Sequence, residues 1–227
     1  SGTSNFRTAE IKCEASSGEA IKHEVSNGAA KLGIISAILL LTIIAYPKIS
    51  ALKSAYTTWK DAMDLYNYGL YTESLEDYEK AYRVLKNNGE FLINYGKALS
   101  VAEKHTESAT ILEQAKSYQS NSVLYTALGD SYKALEKCKV AEQHYLQAAN
   151  RSPAKFYPLY LLAKLYNASG KQLKAMAMTN TILKKEVKVH STAIDEIKEE
   201  MKTIIYKIKE RETTMNNIHV SNEHQFW

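Results

Sequence analysis

The chain has 227 residues, room for one domain with appendages. Three prolines and nine glycines argue against an all-β fold and against a low-complexity chain, and a net charge of +4 is too mild to indicate nucleic acid. Two cysteines, Cys13 and Cys138, lie in different segments, so a disulfide framework is not indicated. The sequence opens Ser1-Gly2 with no methionine and is expected to be a piece of a longer protein.

Residues 1–31 are polar and rich in Ser, Glu and Lys, and no 3.6-residue apolar period is sustained. They read as a polar linker. Residues 32–47 differ. No charge falls between Lys31 and Lys48, and Leu32 to Tyr46 reads LGIISAILLLTIIAY. As a helix this run spans ~22 Å, slightly short of the roughly 20 residues that cross a bilayer comfortably. Ala29, Ala30 and the flanking lysines extend its reach. A transmembrane helix is expected here, with residues 32–46 in the membrane. A signal-peptide core fits less well, because a long polar stretch precedes it and no A-x-A-like cleavage site follows. Lys48, Lys53 and Lys60 outweigh Lys22 and Lys31, so the C-terminal side is expected to be cytoplasmic.

Residues 48–187 carry a period. Small residues recur at Ala62, Gly96, Gly129 and Ala163, at steps of 34, 33 and 34. The best-formed period reads Leu128-Gly129-x-x-Tyr132, then Ala141, Tyr145, Ala148 and Pro153. Gly129 and Ala141 let two antiparallel helices approach closely, the tyrosines fill the wedge between hairpins, and Pro153 ends the second helix. The period predicts four helical hairpins over about 55–87, 89–120, 122–154 and 156–187. The small residues expected on the second helices are Ala81, Ala109, Ala115, Ala141 and Ala175. After Val187-Lys188-Val189, Ser191-Thr192-x-x-Asp195 is a helix start. Ile194, Ile197, Met201, Ile204, Ile205 and Ile208 keep one apolar face, as a capping helix over 191–211 requires. Periodicity fails over 212–227, where a disordered tail is expected.

These spacings resemble the tetratricopeptide repeat superfamily throughout residues 55–187. The resemblance implies an all-α, right-handed α-solenoid whose hairpins stack on their neighbours. A narrower likeness adds Trp59-Lys60-x-Ala62, Asn94-Tyr95-Gly96-Lys97, Leu128-Gly129-Asp130-Ser131-Tyr132 and Tyr157-Pro158-Leu159-Tyr160 behind a last hydrophobic span. This string is similar to the C-terminal region of bacterial O-antigen ligase/polymerase-type membrane proteins. That likeness implies the non-catalytic tail of a protein of cell-surface glycan assembly, in the bacterial inner membrane with cytoplasmic repeats. A stand-alone, single-span adaptor that recruits protein partners is the alternative.

In such solenoids the first helix of each hairpin lines a concave groove. The repeat register projects Trp59, Met63 and Tyr66 there from the first hairpin, and Lys97 and Ser100 from the second. Asp130 and Lys133 come from the third, and Tyr160, Lys164 and Asn167 from the fourth. Aromatic rings supply area while amides and ammonium groups set register, which suits a protein or peptide partner. A carboxylate clamp for acidic C-terminal peptides would need Lys and Asn where Trp59 and Met63 stand, and basic residues where Val123 and Ala127 stand. Only Asn94 fits, so that mode is not expected.

No GxSxG, HExxH, GxGxxG or Walker glycine loop occurs, so neither an enzyme nor a cofactor site is expected. Cys138 reads as a packed thiol. His219 and His224 read as part of a polar tail rather than a metal pair. Asn150-Arg151-Ser152 and Asn167-Ala168-Ser169 match a glycosylation pattern too short to carry weight.

Overall fold

The computed structural model describes the backbone of residues 4–223 and the side chains of residues 33–214. Among the described residues every regular element is helical. Contacts divide the chain into two units, residues 1–54 and residues 55–227.

The first helix, α1, runs Ser4–Asn67. Two sequence expectations change here. Residues 4–31 are helical, where a linker was expected. The apolar run is also not a separate helix ending at residue 47: the helix continues through Pro47. Residues 4–31 hold many Ala, Glu and Lys, which favour a helix whether or not they form an apolar face. Within residues 33–54 the large apolar side chains are exposed, including Ile34, Leu40, Leu41, Ile43 and Ile44. The stretch Gly33–Asn67 is long and apolar enough, by length and composition, to cross a membrane.

From Ala55 onward the elements pair. The end of α1 packs with α2 (Tyr71–Leu85), α3 (Gly89–Val101) with α4 (His105–Ala115), α5 (Ser122–Ala134) with α6 (Cys138–Arg151), and α7 (Tyr157–Ala168) with α8 (Gln172–Lys184). Four hairpins result, the number that the period predicted. A last helix, α9 (Thr192–Glu223), packs on α8 and α7. It continues past residue 211, so the expected disordered tail is helical to Glu223; residues 224–227 lie outside the described residues. Residues 212–223 contain no Gly or Pro to stop it.

Ala62 and Ala163 are fully buried, and Gly96 and Gly129 are buried in the equivalent places. Gly96 faces Leu112 and Gly129 faces Tyr145 on the second helix of the hairpin; Tyr78 and Thr179 hold the equivalent register positions in the outer hairpins, and all four are buried. The small partner on that helix is Ser74, Ser108, Ala141 and Ala175 in successive hairpins. Ser108, rather than the expected Ala109, occupies this place in the second hairpin. Its hydroxyl donates to the Gly96 carbonyl at 2.7 Å and meets the Ser131 hydroxyl at 2.8 Å, so both polar groups are satisfied inside the stack.

The turns repeat as strictly. Gly69, Glu103, Glu136 and Gly170 hold positive φ of 83°, 62°, 59° and 68°. The next N–H in each case bonds back to the first helix of its hairpin, Leu70 to Leu65, Lys104 to Leu99, Lys137 to Tyr132 and Lys171 to Tyr166. This left-handed cap satisfies the last carbonyls of the first helix. Asn88 and Asn121 then cap α3 and α5, each side chain accepting from the N–H three residues on.

Candidate functional site

Two cavities lie along the first helices of the hairpins, and a third adjoins them at the α6–α7 and α8–α9 connections. One of about 120 Å³ lies between α1, α2 and α3 and is lined by Met63, Tyr66, Asn67, Tyr78, Asn94 and Lys97. A second of about 360 Å³ lies across α3, α5 and the start of α7; Lys97, Val123, Thr126, Ala127, Asp130 and Pro158 line it, with Lys155 and Tyr157 at the edge. Lys97 belongs to both, and its ammonium sits 5.8 Å above the Tyr66 ring. The third, of about 710 Å³, shares Lys155 and Tyr157 with the second.

Four predicted site residues, Met63, Tyr66, Lys97 and Asp130, therefore line this track. Asp130 is held from below: the Tyr145 hydroxyl donates to its Oδ1 at 2.7 Å. Burial pushes the Asp130 carboxyl above the usual range, and the Tyr145 bond and nearby Lys133 oppose that rise. The same burial, with the Asp130 charge, pushes the Tyr145 phenol far upward, so it stays a donor.

The other predicted residues differ. Trp59 is buried, 9% exposed, with its ring edge-on to Phe91 at 5.6 Å and tilted on Tyr56 at 5.8 Å. It is core between α1 and α3, because its turn of α1 faces Phe91. At the fourth hairpin, Tyr160 donates to Glu200 Oε2 at 2.6 Å and accepts from Lys164 at 3.0 Å, and Lys164 pairs with Glu200 at 3.1 Å. Helix α9 thus takes up Tyr160 and Lys164, which the repeat register alone had left open to a ligand. Ser100, Lys133 and Asn167 lie near the C-terminal ends of their helices and line none of the three cavities.

Residues outside the projection also line the track: Asn94, Val123, Thr126, Ala127, Lys155, Tyr157 and Pro158. The first four lie three, four or seven positions before Lys97 or Asp130, on the same helical stripe, which was a signal in the sequence. Lys155 comes from the α6–α7 connection, which the period does not describe, and Tyr157 is the first residue of α7.

Among the described residues no group of three His, Cys, Asp or Glu is placed to hold an ion. His219 and His224 lie outside the described side chains. Cys138 is half-buried and unpaired by any disulfide.

No protein-family model matches the chain. None of the curated proteins matches it either. Solved structures do. PilW, described as a widely conserved type IV pilus biogenesis factor, aligns with a TM-score of 0.55 over 67% of this chain and 74% of its own, at 15% identity. A tetratricopeptide repeat protein from Parabacteroides merdae ATCC 43184 aligns at 0.53, over 70% and 64%, at 21% identity. YrrB, described as a tetratricopeptide protein with an unusual peptide-binding site, aligns at 0.50, over 59% and 71%, at 18% identity. The fold is that of the tetratricopeptide proteins. At these identities the likeness concerns the fold alone.

Proposed function

We propose that residues 55–211 form a non-catalytic module that binds an extended segment of a protein partner along the track. The observation that carries this reading is Lys97, which lines two cavities at once and so joins the first hairpin to the third and fourth. Val123, Ala127 and Pro158 supply an apolar floor, and Asn94, Thr126 and Asp130 supply polar groups at intervals along it. That alternation suits a peptide whose backbone is bonded and whose side chains are seated in turn. The unusual peptide-binding site of YrrB is in keeping with this use of the fold. The test is site-specific photocrosslinking in the native host. A photoreactive side chain at Thr126 should trap a discrete partner that the same group at exposed Glu76 does not. Equal yields from both positions would defeat the reading.

The second part of the proposal is a membrane tether. Exposed Ile34, Leu40, Leu41, Ile43 and Ile44 motivate it, because an apolar stretch open on all sides is costly in water. It places residues 32–46 in a bacterial inner membrane with the repeats in the cytoplasm. Leu40→Asp with Ile43→Asp should move the protein to the soluble fraction; retention in carbonate-washed membranes would refute the tether. The tail of an O-antigen ligase or polymerase rests on the sequence resemblance alone. An upstream gene region that encodes no further spans would remove it and leave the single-span adaptor.

A further inference from the structure

We infer that the largest of the three cavities, at the α6–α7 and α8–α9 connections, anchors an apolar side chain flanked by carboxylates on an acidic peptide segment. This deepens the peptide-track reading and rests on it for the peptide's path. The walls are apolar: Phe156 at the floor, with Val189, Ile194 and Ile197. Phe156 is only 6% exposed, whereas Val189 is 76% exposed and left uncovered by the described residues. The link between α8 and α9, residues 185–191, is longer than any connection between hairpins and supplies Lys185, Glu186, Lys188 and Val189 to the lining.

The charges divide into two roles. Lys185 and Lys198 are structural. The Lys185 ammonium donates to the Pro153 carbonyl and lies 5.5 Å from the centre of the Phe156 ring. The Lys198 ammonium donates to the Lys185 carbonyl at 3.3 Å and lies 5.7 Å from that ring. Lys155 and Lys188 are different: both are exposed on the rim and join none of the ion pairs among the described residues. The single acid of the lining is Glu186. An apolar pit between two unpaired ammonium groups is complementary to a hydrophobic residue with carboxylates before and after it. A peptide fits better than a compact small molecule, because Lys155 and Tyr157 also line the adjoining cavity and carry the path onward.

The test uses the full chain and a fluorescein-labelled, end-blocked peptide with one phenylalanine flanked by two glutamates on each side. Anisotropy should report salt-sensitive binding. Lys155→Glu with Lys188→Glu should weaken it by about tenfold, and so should replacing the peptide's glutamates with glutamines. Ala193→Trp, which fills the cavity from an exposed position, should weaken it to a similar degree. Thr72→Trp, on the exposed face of α2 and outside all three cavities, should leave this short peptide's binding unchanged. Unchanged helicity by circular dichroism establishes that each variant folds. No binding by the unaltered chain, full binding by both cavity variants, or displacement by laurate without salt dependence would overturn the anchor. If Thr126 crosslinks while the cavity variants bind normally, the track stands and the anchor falls. If the cavity variants lose binding while Thr126 traps nothing, the anchor stands and the track falls.

Discussion

Gly129 faces the ring of Tyr145 so closely that a Cβ on the glycine would stand 2.3 Å from Cε1 and 2.4 Å from Cδ1. The ring cannot retreat easily, since Tyr145 is fully buried and its hydroxyl is bonded to Asp130. Gly129→Ala should cost about 1–3 kcal/mol by overpacking, and Gly129→Leu should prevent the third hairpin from closing. Urea titration followed by circular dichroism measures both. Gly96→Ala meets Leu112 Cγ at 2.5 Å and should behave like the alanine variant at Gly129.

The turn residues allow a gain in stability. Glu103 and Glu136 hold positive φ without being glycine, whereas Gly69 and Gly170 occupy the same place in the outer hairpins. A side chain in that region costs roughly 1–2 kcal/mol, part of which a glycine returns as unfolded-state entropy. Glu136→Gly should therefore raise the urea midpoint by an amount worth about 1 kcal/mol. Gly170→Ala should lower it. A fall on Glu136→Gly would show that the glutamate side chain contributes more than the strain.

Glu142 ties the third hairpin to the fourth. Its carboxylate accepts from Lys171 at 2.8 Å, from Lys174 at 2.9 Å and from the Tyr166 hydroxyl at 2.9 Å. The two lysine bonds dominate and pull its pKa from 4.5 to about 2. A folded-state value below the unfolded one stabilises the fold above the unfolded pKa. That contribution is lost as the pH falls from about 4.5 towards about 2. Glu142→Gln should lower stability at neutral pH and flatten this acid limb. An unchanged limb in thermal melts across that range would refute the assignment.

Trp59 and Tyr160 should separate stability from binding. Trp59→Ala removes a core ring and should cost about 3–5 kcal/mol, seen as early melting of the first two hairpins. Tyr160→Phe removes the bond to Glu200 and should loosen α9 by about 1 kcal/mol. Crosslinking from Thr126 should persist in Tyr160→Phe. Its loss there, in folded protein, would return Tyr160 to the track.

The hairpins were legible because close helix approach demands a small residue, and that demand recurs at Ala62, Gly96, Gly129 and Ala163. Ser74 and Ser108 were harder to see. A serine fits the tight place only because it finds an acceptor inside, Tyr71 for Ser74 and Gly96 for Ser108, and composition does not show that. The helical course of residues 4–31 and 212–223 follows propensity without an apolar period, so a reading by period left it out. Of the site, the residues one turn apart on α3 and α5 were within reach of the register. Lys155 was not, since a connection between hairpins has no period to project, and Tyr157 stands at the first position of α7, where that connection sets its direction. Tyr160 and Lys164 were misplaced because the register does not know what α9 covers.

The four left-handed turn residues have one further consequence, for how the chain can change over generations. A stretch copied from Lys104 through Glu136 and inserted after Glu136 meets the same backbone conformation at both of its joints. The helices on either side of the insertion are already shaped to receive it. Gene duplication can thus lengthen the array by a whole hairpin without inventing a junction, and its length can drift independently of what any single hairpin grips.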